Sequence, residues 1–175
     1  MNKLSERIEN LPASATLAMA AKARELKNSG VDVISLSLGE PDFNTPDFIK
    51  EAAIKAIEEN YHSYPPVDGY LELKKAICEK FLRDNNLNYE PSQIVVSTGA
   101  KQSIANVCMA LLSKGDEVLL PAPYWVSYSA IVTLCEAKFK IIPSSLENGF
   151  KITPSQLKSE LTSKTRLIMF NSPNN

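Results

Sequence analysis

Ser97-Thr98-Gly99-Ala100-Lys101-Gln102 lies between the short apolar run Ile94-Val95-Val96 and a segment in which Ile104, Val107, Cys108 and Leu111 recur at helical spacing. The pattern predicts a strand over 94–97, a tight turn, and a helix over 100–113. The first amides of a helix have no intrahelical partner, and the helix dipole adds partial positive charge to them, so such a turn accepts an anion. Gly99 permits close approach of backbone to a ligand, and Ser97 and Thr98 add hydroxyls. The same hexapeptide also suits an ordinary capped crossover helix.

Downstream the alternation continues. Gly115 is a stop, followed by a strand at 117–120, a helix at about 125–135 and a strand at about 138–142. Thr153-Pro154-Ser155-Gln156 then opens a helix as a capping box with proline in its first turn, and a strand at 166–170 follows. Strands alternating with helices imply an α/β fold with a largely parallel sheet and helices on both faces. Ligands bind beyond the carboxyl ends of such strands. The loops at 97–102, 121–125 and 171–175 are expected there.

Upstream, Ser14 or Thr16 caps a helix running to about Ser29, with Gly30 as its stop. Val31 to Leu38 reads as extended and leads into an irregular loop, Gly39-Glu40-Pro41-Asp42-Phe43-Asn44. Thr45-Pro46 starts a helix bearing Ile49, Ala52, Ala53 and Ala56 on one stripe. His62-Ser63-Tyr64-Pro65-Pro66-Val67-Asp68-Gly69 is a stiff, proline-rich segment that holds Tyr64 still, and Leu73, Ile77 and Phe81 mark the next helix.

The 175 residues, 44% of them apolar, suffice for a real core. A net charge of −1 gives no footprint for nucleic acid or an anionic membrane surface. No apolar run reaches membrane-spanning length and the first residues lack a signal-peptide pattern, so a soluble, cytoplasmic protein is expected. Cys78, Cys108 and Cys135 have no metal-site spacing and read as buried free thiols. His62 is the sole histidine, which leaves no material for histidine-based triads or multi-histidine metal sites. The chain ends on Asn171-Ser172-Pro173-Asn174-Asn175, turn residues leaving a strand-like run, and that is the expectation for a cut fragment.

Five motifs, in order, carry a family resemblance: Ser37-Leu38-Gly39-Glu40-Pro41-Asp42-Phe43, Tyr64-Pro65-Pro66-Val67-Asp68-Gly69, Thr98-Gly99-Ala100-Lys101-Gln102, Pro123-Tyr124-Trp125 and Asn171-Ser172-Pro173-Asn174-Asn175. Together they resemble the N-terminal half of class I pyridoxal-phosphate aminotransferases, the bacterial aspartate aminotransferase subgroup above all. The resemblance implies the type I fold of pyridoxal-phosphate-dependent transferases. Residues 1–45 would be the N-terminal arm and part of the small domain, and 46–175 the N-terminal part of a truncated large, cofactor-binding domain.

It also implies roles. Gly99, Ala100 and Lys101 cradle the phosphate of pyridoxal 5'-phosphate, Trp125 stacks on its ring, and Asn175 donates to its phenolic oxygen. Gly39, with Trp125 and Asn175, lies on the substrate side, and Tyr64 reaches the cofactor of the neighbouring subunit of a homodimer with shared active sites. The implied reaction moves an amino group from an amino acid, aspartate first, to a 2-oxo acid, 2-oxoglutarate first. Prephenate use in the subgroup goes with a lysine in the arm, and here that region reads Leu11-Pro12-Ala13-Ser14. The lysine that links covalently to the cofactor lies beyond Asn175, so the 175-residue chain alone is expected to be inactive. A carbon–sulfur lyase on the same scaffold, or a non-catalytic truncated phosphate-binding protein, are the other readings.

Overall fold

Val118, Leu119 and Leu120 have no solvent exposure on either side of their strand, as expected for the middle of a parallel sheet covered on both faces. The computed structural model describes residues 3–36 and 39–173, which form two units: the first is residues 3–12 with 96–173, the second 13–36 with 39–95. In chain order the elements are α1 (Glu6–Glu9), α2 (Ala15–Asn28), α3 (Asp47–Glu58), α4 (Leu71–Asn85), α5 (Ala100–Leu111), β1 (Glu117–Pro121), α6 (Ser127–Leu134), β2 (Lys138–Ile142), α7 (Pro154–Glu160) and β3 (Thr165–Ile168).

In the first unit β1 is the central strand of a three-stranded parallel sheet of order β2-β1-β3. Its register to β2 runs from Glu117 opposite Lys138 to Pro121 opposite Ile142. On one side Val118 and Leu120 join Cys108 and Leu112 from the α5 end, Tyr128, Ile131 and Val132 of α6, and Ala137 in a single apolar cluster. Leu119 alternates to the other side of the pleat, the side that a second helical layer must cover. α7 packs along β2 and is tied to its end by Gln156 Nε2, which donates to the Pro143 carbonyl at 3.1 Å. The capping box at the start of α7 forms as its sequence predicts: Gln156 N–H donates to Thr153 Oγ1 at 3.2 Å, and Thr153 N–H to Gln156 Oε1 at 2.9 Å. Glu117 staples the sheet's near edge. Its Oε2 accepts from the Thr162 hydroxyl at 2.6 Å and lies 3.5 Å from Lys140 Nζ, and the Thr162 hydrogen bond leads in holding this carboxyl below its ordinary range.

The second unit holds α2, α3 and α4, with a short 3₁₀ turn at Pro91–Gln93 packed on α4. Ser14, and not Thr16, caps α2, its hydroxyl accepting from Leu17 N–H at 3.3 Å. Gly30 takes the left-handed φ of +86° that stops that helix.

Several expectations need correction. Ile94 to Ser97 is not a strand; a strand exists only as part of a ladder, and no neighbour pairs with this run among the described residues. Pro46 is the cap of α3 and not its first helical residue, and the Thr45 side chain makes no capping bond. The helix expected at about 125–135 spans Ser127–Leu134, with Val126 as its N-cap. Of the three thiols only Cys108 is fully buried, while Cys78 and Cys135 are half-buried. Among the described residues no helix is long and apolar enough to cross a membrane.

Burial pushes the Cys108 thiol up, with Cys135 nearby adding to the shift, and burial alone does the same for Cys135. Brief iodoacetamide treatment of the native protein at about pH 8 is therefore expected to label Cys78 first and Cys108 about tenfold more slowly. Peptide mass mapping reads the order, and label arriving first on Cys108 contradicts the packing described.

Candidate functional site

Two of the unusual loops leave the carboxyl ends of β1 and β3, and the contact of Lys101 with Trp125 brings the turn at Gly99 to the first of them. Gly99 is the N-cap of α5 at φ +84° and ψ 161°, a conformation that side chains with a Cβ rarely adopt. Nothing lies within 4 Å of the place a Cβ would occupy there, so the glycine is required by backbone geometry and not by crowding. Its carbonyl accepts from Gln102 N–H at 3.1 Å and Ser103 N–H at 3.3 Å, while its own N–H donates to the Ser97 carbonyl at 2.8 Å. Thr98 N–H donates to the side-chain oxygen of Gln102. The amides of Ala100 and Lys101, the first two of a twelve-residue helix, are the ones with no intrahelical acceptor. Gln102 braces the turn, a role not read from the sequence. The signal was there: a glutamine at the third helical position, where capping side chains reach back.

The segment leaving β1 brings Trp125, the only tryptophan, back to this turn. Lys101 Nζ lies over the Trp125 ring, 5.1 Å from its centroid, and Tyr128 meets the same ring edge-on, with centroids 5.6 Å apart and planes at 82°. Trp125 is half-buried against the apolar cluster, which fixes the ring by packing while one part stays open. The Lys101 pairing also went unread in the sequence, since a cation and a ring so far apart in the chain carry no pattern.

Beyond β3, Asn171 is half-buried, with its Oδ1 atom shielded from solvent. Its Nδ2 donates to the Pro173 carbonyl at 3.1 Å, and its Oδ1 has no hydrogen-bond partner. Asn171 also lines a cavity of about 560 Å³ with Tyr124, Phe150, Leu157 and Phe170. That cavity is separate from the turn at Gly99 and includes neither Lys101 nor Trp125. Asn175 lies outside the described residues.

Gly39 and Tyr64 belong to the second unit. Tyr64 is fully exposed, as is Val67. Behind them Lys74 Nζ donates to Asp68 Oδ2, Gly69 N–H donates to the Pro66 carbonyl at 3.0 Å, and the Tyr61 and Tyr70 rings meet edge-on at 6.2 Å. The Lys74 hydrogen bond, followed by Asp68's own backbone amide, holds the Asp68 carboxyl below its ordinary range. Among the described residues no group of histidine, cysteine, aspartate and glutamate is arranged to hold a metal.

Free amides at a helix start, with a flat aromatic ring and an ammonium beside them on the carboxyl edge of a parallel sheet, define an α/β domain shaped for a planar, anionic ligand. Residues 31–175 match the model of the aminotransferase class I and II family, and the chain belongs to that family. It is 49% identical over 173 residues to the aspartate aminotransferase of Bacillus subtilis, and 49% identical over 172 residues to the aspartate/prephenate aminotransferase of Cereibacter sphaeroides. These alignments cover 99% and 98% of this chain but only 44% and 43% of the relatives. The aspartate aminotransferase of Rhizobium meliloti superposes with a TM-score of 0.95 at 45% identity, over 100% of this chain and 44% of that one. The Thermus thermophilus enzyme, solved with maleate, gives 0.96 at 40% identity over 100% of this chain and 46% of that one. The chain thus spans less than half the length of the relatives it matches. Members of the family use pyridoxal 5'-phosphate.

Proposed function

We propose that this chain is the cofactor-cradling, N-terminal part of an aspartate-type aminotransferase, a cytoplasmic homodimer that exchanges an amino group between aspartate and 2-oxoglutarate. The observation that carries this reading is the meeting of Lys101, Trp125 and the free amides of α5 at one place. Pyridoxal 5'-phosphate fits what is present there: the phosphate needs donors and open space over Gly99, and the ring needs an aromatic face. When bound, the cofactor supplies the electron sink that amino-group transfer requires.

The chain's own residues do the rest by binding and orienting. The N–H groups of Ala100 and Lys101 hold the phosphate, with the α5 dipole behind them. Trp125, held edge-on by Tyr128, fixes the plane of the ring. The Lys101 ammonium keeps positive charge on the same side and favours substrates that carry a second carboxylate. Gly39 offers main chain to the substrate's α-carboxylate, Asn175 donates to the cofactor's phenolic oxygen, and Tyr64 crosses to the phosphate site of the neighbouring subunit. On this reading residues 1–45 are the arm with part of a small domain, and 46–175 belong to the large domain. No lysine within 1–175 is assigned the covalent link to the cofactor.

The test is an assay of the protein at the length of its relatives, with aspartate and 2-oxoglutarate. Glutamate and oxaloacetate are the expected products, and the 175-residue chain alone is expected to form neither. Release of pyruvate and ammonia from cystathionine, without transamination of aspartate, assigns the protein instead to the carbon–sulfur lyases of the same fold.

A further inference from the structure

Among the described residues Lys74 is the one buried charged side chain, with 7% of its surface exposed. It sits in the first turns of α4, where a cation opposes the helix dipole, so its position there does not serve the helix. What it meets is Asp68, in the loop just ahead of α4. The Lys74 side chain is withdrawn from water while that of Asp68 stays 47% exposed, so this is a partly buried pair, more constraining than one between two exposed side chains because the ammonium has lost its solvent.

Besides this pair the loop is held by the Gly69 N–H to Pro66 carbonyl bond and, at its end, by the Tyr61–Tyr70 ring contact. Tyr64, Pro65, Pro66 and Val67 are all exposed and contribute nothing to a core. Tyr70, the N-cap of α4, makes no side-chain capping bond. Two consecutive prolines stiffen the path from Asp68 back to Tyr64, so the direction set at Asp68 is transmitted to the tyrosine without much bending.

We propose that Lys74 is a positioning residue: by gripping Asp68 it aims the Tyr64–Val67 prong, and so sets how well Tyr64 engages the phosphate site of a second subunit. The inference rests on the reading of Tyr64 given under Proposed function. It assigns Lys74 no contact with cofactor or substrate.

The experiment is a double-mutant cycle in the dimeric holoenzyme at the length of its relatives, read as the dissociation constant of pyridoxal 5'-phosphate from its bound absorbance. Tyr64→Phe and Lys74→Met are each expected to weaken binding about tenfold. In the Tyr64→Phe background, Lys74→Met is expected to add less than about twofold, and Lys74→Arg to restore binding to within about twofold of the parent. Should Lys74→Met fail to fold, Asp68→Asn runs the same cycle, with a smaller loss expected in the Tyr64 background and none in the Phe background. Equal losses from Lys74→Met in both backgrounds overturn the positioning role while leaving Tyr64's role intact. An unchanged affinity in Tyr64→Phe removes Tyr64's role and the positioning role with it.

Discussion

Leu120→Ala is expected to lower the unfolding free energy of the first unit by about 2–5 kcal/mol. Leu120 has no exposed surface and stands in the central strand, where α5 and α6 both press on the cluster it belongs to. The lost methyl groups take their transfer free energy with them. The surrounding sheet, hydrogen-bonded to β2 and β3 on both edges, cannot collapse to fill the space. Urea unfolding followed by far-UV circular dichroism reads the effect as a lower midpoint at unchanged slope. A loss below about 1 kcal/mol means that β1 is not the centre of the core.

The same strand shows why part of the fold was legible. Val118-Leu119-Leu120 is a continuous apolar run between a glycine stop and a proline-rich loop, and only burial on both faces accommodates it. Thr153-Pro154-Ser155-Gln156 likewise states its own geometry, because capping is decided within four residues. Ile94-Val95-Val96 has the same apolar character and was read as a strand, yet its state depends on a neighbour that no local pattern encodes. The stripe on α3 met a similar fate. Its spacing is correct, but Ile49, Ala52 and Ala53 stay exposed within the second unit and Ala56 is only half-buried. Periodicity predicts which face an element offers and is silent on whether anything covers it.

The site divides along the same line. Gly99 with the first amides of α5 was legible because a helix start is local physics. Trp125 was singled out by its proline-rich loop and by family resemblance, but the ammonium of Lys101 lying on its ring is a tertiary fact. Lys74 is the clearest omission. A lysine in an amphipathic helix reads as solvent-facing, and its burial follows only from where Asp68 comes to rest.

Gly99→Ala and Gly99→Leu are expected to destabilise the first unit alike, by about 1–3 kcal/mol, and to differ in their effect on the ligand. The destabilisation should be similar because the strain arises at φ +84°, which any Cβ makes unfavourable, and because nothing lies within 4 Å of the Cβ position, so crowding at that carbon adds nothing in either variant. To relieve that strain the turn must rotate, and the Gly99 carbonyl then loses Gln102 and Ser103 as donors. The amides of Ala100 and Lys101 are re-aimed in consequence, and pyridoxal 5'-phosphate is expected to bind about tenfold more weakly to the alanine variant. If the phosphate rests against the glycine, the leucine side chain occupies the space it needs, and binding falls by about a hundredfold. Quenching of the single tryptophan, Trp125, by added pyridoxal 5'-phosphate measures both variants on one scale. Equal losses of affinity in the two variants would mean that Gly99 shapes only the turn, and that the ligand approaches the α5 amides from elsewhere.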